Sequence, residues 1–233
     1  LVFAVEIFAG YGAVLLTVGG LRLGTGVSEQ GLRDKRLNER LLTIDWRRQE
    51  TPATDVVGHG HWLLISTSDE SDMLAHQLAD VLKAGEADVT AMTWSSDGDH
   101  AANAELLRRT LVARPSAGIV VVQDPRSADA DLVADGADHV RHLVRIAKVL
   151  PDVAGEPPRL FVVTRGAQTV LPGDLPNLAQ GGLRGLVRVI GMEHPRMRPT
   201  QIDVDDATDV RLVGAELLSL SDEDETAWRD GHY

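Results

Sequence analysis

The sequence contains no cysteine. Disulfides, cysteine-ligated zinc and a thiol nucleophile are therefore excluded, and a reducing, cytoplasmic setting suits such a chain. Tyrosine is nearly as scarce, with only Tyr11 and Tyr233, and lysine is confined to Lys35, Lys83 and Lys148. Reduction by a tyrosine acid assisted by a nearby lysine is not expected, because none of these lysines is spaced to serve either tyrosine. Positive charge is in deficit: 23 Lys and Arg face 35 Asp and Glu, a formal charge of −12. That balance argues against nucleic acid or an anionic membrane as partner. A long uninterrupted apolar run is also missing. Residues 1–24 are apolar, but Glu6 and Gly10, Gly12, Gly19, Gly20 and Gly24 interrupt them and no basic leader precedes them. Neither a signal peptide nor a membrane span is expected there.

What is present is ordinary globular composition, 43% hydrophobic and 25% charged over 233 residues, enough for one domain and a piece of another. Phe3, Val5 and Ile7 alternate with their neighbours, Ala9-Gly10-Tyr11-Gly12 supplies a turn, and Val14, Leu16 and Val18 resume the alternation, which predicts a hairpin. Gly24 to Arg36 has the composition of a linker. Leu41 to Trp46 reads as a strand. From His61 onward strands and helices alternate: strands at 62–67, 88–94, 118–123, 160–164 and 202–204, and helices at 71–84, 101–112, from about 132 to 150, from 180 to near Glu193, and 208–218. Gly85 is expected as a left-handed helix stop. A short strand at 226–229 and a turn at Asp230-Gly231 follow. Such alternation predicts an α/β fold: a truncated Rossmann-like, mostly parallel sheet with helices on both faces, plus the N-terminal β-hairpin. The chain opens without methionine and reads as an excised piece of a longer protein.

A dinucleotide site needs glycines straight after the first strand, so that backbone amides reach the diphosphate. Here that turn is Ser66-Thr67-Ser68-Asp69-Glu70-Ser71-Asp72, with no glycine and three acids. Gly181, Gly182 and Gly185 lie elsewhere and are expected to serve helix packing. A receiver-like arrangement would draw on Asp69 with Glu70, Asp124 and Thr164, but the fifth strand, Ile202 to Asp206, offers carboxylates where that chemistry needs a lysine. His139 and His142, with Asp135 and Asp138 nearby, have helical spacing for one metal ion but are expected on a solvated face. Asp129, Asp131 and Asp135 complement the start of that helix. His59 and His61 are expected in a loop, and His194 as a helix terminator. Ser66, Thr67 and Ser68 have no triad partner at a recognisable spacing. Asp222-Glu223-Asp224-Glu225 reads as an exposed acidic turn. No catalytic, cofactor-binding or metal-ligating residue is assigned.

Four phrases carry a resemblance: Glu39 to Trp46, Val163 to Ala167, Gly185-Leu-Val-Arg-Val-Ile-Gly-Met-Glu-His-Pro195, and Asp222 to Gly231. Together they resemble the structural, non-catalytic half of the ketoreductase of reducing type I polyketide synthases, with wording nearest mycocerosic-acid-synthase-like enzymes of mycobacteria. Gly12-Ala-Val-Leu-Leu-Thr-Val18 is similar to the closing strands of a dehydratase domain. The resemblance implies residues 1–26 as dehydratase strands, 27–38 as linker and 39–233 as the structural subdomain, with an enoylreductase downstream. It implies no cofactor bound by this segment, and NADPH and phosphopantetheine in the parent enzyme. The implied partners are the catalytic ketoreductase half, the enoylreductase and the dehydratase of the same polypeptide, in a homodimeric parent. The alternative is a free-standing nucleotide-binding oxidoreductase or a receiver-like regulatory module.

Overall fold

The computed structural model describes residues 2–8, 14–22, 33, 44–50, 60–68, 72–123, 131–150 and 157–233. It divides into two compact units, Leu1–Trp46 and Arg47–Tyr233. In the first unit β1 (Val2–Phe8) pairs antiparallel with β2 (Val14–Arg22), Val5 opposite Val18 and Phe8 opposite Val14. The hairpin is as expected; the residues of its turn lie outside the described ones. Ile44 to Trp46 belong to no strand, contrary to expectation. Alternation alone does not make a strand where no neighbouring ladder is formed; Leu41 to Thr43 lie outside the described residues.

In the second unit six parallel strands form one sheet: β3 (His61–Ser66), β4 (Asp88–Thr93), β5 (Ser116–Val122), β6 (Arg159–Arg165), β7 (Thr200–Val204) and β8 (Glu225–Ala227). Their order is β4-β3-β5-β6-β7-β8. The chain steps outward once, from β3 to β4, then reverses across β3 to β5 and proceeds the other way. A full Rossmann sheet has the order 3-2-1-4-5-6, so this one lacks a strand on the first side of the reversal. Its first five strands share the order of flavodoxin-like and receiver-like sheets, so topology alone does not separate those possibilities.

The strand sequences explain why both faces are covered. Trp62, Leu64, Val120, Val122, Phe161 and Val163 point to one face, while Leu63, Ile65, Ile119, Val121, Leu160 and Val162 point to the other, all fully or nearly buried. Helices α1 (Met73–Ala84) and α5 (Val210–Ser219) cover the first face. Helices α2 (His100–Ala113), α3 (Leu132–Ala147) and α4 (Leu178–Glu193) cover the second. The side chains of Asp72, Asp99, Asp131, Asn177 and Asp209 cap the five helix N-termini, each worth about 1 kcal/mol. Helix α4 ends at Glu193, as Pro195 requires.

Two expectations change. Gly85 has φ −83° and is not left-handed; that conformation falls on Glu86, φ 62°. Gly85 serves close approach instead, because a Cβ there would meet Leu218 Cδ1 at 2.5 Å. His61, expected in a loop, is the first residue of β3 and buried, with Nδ1 hydrogen-bonded to Ser116 Oγ and Nε2 to Thr90 Oγ1, both at 2.8 Å. Burial, followed by the field of Arg114, holds its pKa below the usual histidine value.

Candidate functional site

In an open α/β sheet the ligand crevice lies at the carboxyl ends of the strands where the strand order reverses, here between β3 and β5. The chain leaves β3 through Ser66, Thr67 and Ser68, all buried, and the Thr67 amide donates to the Val122 carbonyl at 3.0 Å. That amide is consumed by the neighbouring strand. Asp69, Glu70 and Ser71 lie outside the described residues. Asp72 then sits at the N-terminus of α1, the position a diphosphate takes in a dinucleotide site. Its Oδ1 accepts from the amides of Leu74 at 3.0 Å and Ala75 at 3.4 Å, and from Arg165 Nη2 at 2.5 Å. Arg165 closes β6, two strands from β3, so its side chain crosses the carboxyl end of β5 to reach Asp72. Gln180 of α4 fixes the base of this bridge by accepting from the Arg165 amide at 2.8 Å. A carboxylate of the chain itself occupies the anion position, and a guanidinium roofs the crevice. A dinucleotide would have to displace both, so these residues do not fit one.

The other polar centre lies at the carboxyl ends of β6, β7 and β8. Asp203, with no exposed surface, accepts from Thr164 Oγ1 at 2.6 Å, the Ala167 and Gln168 amides at 2.8 and 3.1 Å, and Arg229 Nη2 at 2.6 Å. Arg229 also donates to the Gln168 carbonyl at 2.9 Å and to Asp174 at 3.2 Å. Although burial opposes it, Asp203 and Asp174 hold the Arg229 pKa above its usual value. The sequence offers no lysine for this centre; the cation comes from Arg229, beyond the last strand. The signal available in the sequence was the Trp228-Arg229-Asp230-Gly231 turn, whose Asp230 and Gly231 have φ 51° and 75°. Thr164 is thereby committed to Asp203, and Asp124 lies outside the described residues. Gly166, Leu171, Asp174, Leu175, Asp205 and Arg229 line a shallow cavity of about 200 Å³ beside this centre.

The histidine pair is not on a solvated face. His139 and His142 are both buried: His139 Nδ1 faces Gln123 Oε1 at 3.3 Å, and His142 Nε2 donates to the Trp94 carbonyl at 2.6 Å. Leu132 and Val133, expected on the apolar stripe of α3, are the exposed residues instead. The rest of the stripe packs inward as expected, with Leu143, Ala147 and Leu150 buried and Val140 against the core, and the imidazoles join it by reaching polar atoms after β4 and β5. Among the described residues no three His, Cys, Asp or Glu side chains converge on a metal position. His194 caps the end of α4. Tyr11 lies outside the described residues, and burial drives the Tyr233 phenol up to about 12, away from what a proton donor at neutral pH requires. The acidic turn is only partly solvated: Glu225 accepts from both Arg184 and Arg188 of α4. Burial opposes ionisation there, yet the two arginines hold its carboxyl below the usual range.

The surface carries a third feature. On α4, Leu178, Gly181, Gly185, Val189 and Met192 follow one another at three- and four-residue steps on one side. Met192 is 84% exposed, and a Cβ built on Gly181 or Gly185 would meet nothing within 4 Å. The start of α3 lies against that of α4, at Gly136 beside Ala179, and bears Val133, 82% exposed. Of the three glycines, Gly182 alone packs closely, with Val140 of α3. Among the described residues no helix is long and apolar enough to cross a membrane.

Comparison with known proteins follows the same lines. A family model described as the Rossmann-fold domain of the polyketide synthase extender module SpnB matches residues 44–233. The mycocerosic acid synthase-like polyketide synthase of Mycobacterium tuberculosis is 46% identical over 96% of this chain. The phthioceranic/hydroxyphthioceranic acid synthase of Mycobacterium bovis is 48% identical over 98% of it. The chain spans 11% of the length of each. Among solved structures, the first ketoreductase of the tylosin polyketide synthase superposes with a TM-score of 0.63 at 24% identity, over 81% of this chain and 38% of that one. A-type ketoreductases from a modular polyketide synthase give 0.54 at 27% identity, over 76% and 37%. Sequence and fold agree: this chain belongs to the family of the SpnB-type Rossmann-fold domain of polyketide synthases, a ketoreductase-related domain.

Proposed function

We propose that this chain is the non-catalytic structural subdomain of a polyketide synthase ketoreductase. It braces the NADPH-binding catalytic half, which reduces β-ketoacyl chains on the acyl carrier. The single observation that carries this is the Asp72–Arg165 ion pair lying across the strand-reversal crevice. Its carboxylate already takes the helix N-terminal amides a diphosphate would need, and its guanidinium already has its anion. The role left to the domain is a surface role. The exposed apolar side of α4, with Val133 of α3 beside it, is the face assigned to the catalytic half. Its open glycines admit a partner helix at short range, as small residues do at close helix contacts.

NADPH titration followed by fluorescence of the four tryptophans tests the first half of the proposal. The expected result is no saturable change; micromolar binding overturns it. Mixing with the catalytic half tests the second: the melting temperature rises with partner concentration, because a partner that binds only the folded form stabilises it. An unchanged melting temperature at saturating partner overturns the bracing role.

A further inference from the structure

Glu216 is a carboxyl that neither the fold nor the proposed bracing role uses. It lies on the inner side of α5 between Val213 and Leu217 and is 1% exposed. Both its oxygens face the segment that ends the unit: Thr226 Oγ1 donates to Oε1 and Trp228 Nε1 to Oε2, each at 2.6 Å. Trp228 is fully buried, and the Tyr233 ring rests on it at 5.0 Å between centroids. The residues beyond Trp228 fold back through the Arg229–His232 bridge. They then hold the segment that enters the unit: the Gln49 amide donates to the Tyr233 carbonyl at 3.0 Å and Arg48 Nη2 to His232 Nδ1 at 2.7 Å. Thr226–Tyr233 is thus a strap. It is fastened at one end to Glu216, in its middle to the end of β7 through Arg229 on Asp203 and the Asp230 amide on Asp205, and at the other end to the first residues of its own unit.

We propose that Glu216 is a proton-operated latch: with its carboxyl protonated the strap lies closed over α5 and joined to Arg48 and Gln49, and ionisation opens it. Among the described residues no cation forms an ion pair with Glu216. Arg159 of β6 favours its charge through space without a direct contact, its Nε and Nη2 donating to the Arg198 and Glu223 carbonyls and Thr200 Oγ1. Glu223, before β8, disfavours a second negative charge nearby. Asp203 of β7 is committed to Arg229, and on α1, which packs against α5, His76, Asp80 and Lys83 are exposed. Protonated, the carboxyl donates to Thr226 Oγ1 and still accepts from Trp228. Ionised, it needs water, which only an open strap admits. Burial accordingly pushes its pKa up to about 7, against the two hydrogen bonds that favour the charge.

The test is amide hydrogen exchange on the full 233-residue chain. Protection factors, which already allow for intrinsic base catalysis, are measured for Trp228, Arg229, His232 and Gln49. They fall about tenfold between pH 6 and pH 8, while those of Ile119 to Val121 in β5 hold. Glu216→Gln keeps both hydrogen bonds without a titrating proton and abolishes the change. Should that variant fail to fold, Trp228→Phe removes one donor to the carboxylate and moves the midpoint to higher pH. His232→Gln, which removes the other titrating ring of the strap, changes the level of protection but leaves its pH midpoint where it is in the wild type. Equal protection at pH 6 and 8, a pH dependence that survives Glu216→Gln, or one that vanishes with His232→Gln each overturns the latch.

Discussion

Asp203 sits in β7 with no exposed surface, and its two oxygens accept from a threonine hydroxyl, two backbone amides and an arginine. That is enough to hold a full negative charge in the sheet, and it ties the β6–α4 loop to the turn after β8. Asp203→Ala takes the closer carboxylate from buried Arg229 and leaves it only Asp174, and chemical denaturation should show a loss of about 3 kcal/mol. Asp72→Ala is milder: a lost cap costs about 1 kcal/mol, and the freed Arg165, a quarter exposed, turns to solvent. Glu216 is the opposite case to Asp203, a carboxyl buried without a cation. Its folded pKa of about 7 lies above its ordinary 4.5, so the folded chain keeps a proton that the unfolded chain releases. Its contribution is complete below pH 4.5, declines as pH rises, and is gone above about 7. The loss is about 3 kcal/mol, visible as falling stability between pH 5 and 7 that Glu216→Gln flattens.

Between elements, the same substitution should act with opposite signs in two helices. Helices α1 and α5 cross closely, and a Cβ on Gly214 would fall 2.2 Å from Val81 Cγ1. Gly214→Ala therefore overpacks the crossing and should lower stability by about 1–3 kcal/mol in urea denaturation. On α4 the space above Gly185 is open. Gly185→Ala there should raise the stability of the isolated chain by about 0.5–1 kcal/mol, from helix propensity alone. It should also weaken association with the catalytic half, since the methyl fills the groove assigned to the partner. In the sequence these glycines look alike; only the packing distinguishes them.

At the scale of the second unit, helices α1 to α5 cover the two faces of one parallel sheet and bury nearly all of its central strands, and among the described residues an apolar side of α4, with Val133, stays exposed. The paired substitution Val133→Asp and Met192→Asp should leave the melting temperature of the isolated chain within about 2 °C, since both side chains are already in water. It should remove the stabilisation gained from the catalytic half. The alternating apolar strands, the helix stop before Pro195 and the turn at Asp230-Gly231 were determined by the sequence alone. Each depends on local sterics or on a period of two or 3.6 residues, which neighbours in the chain encode. Acids and the lack of glycine after the first strand were legible for the same reason. That Arg165 reaches over β5 to Asp72, that Arg229 supplies the cation for Asp203, and that His139 and His142 turn inward were decided only in the folded chain. These pairings join residues 93, 26, 16 and 48 positions apart. Charge and hydrogen bonding act through space, and no periodicity along the chain records which distant side chains the strand order will bring together.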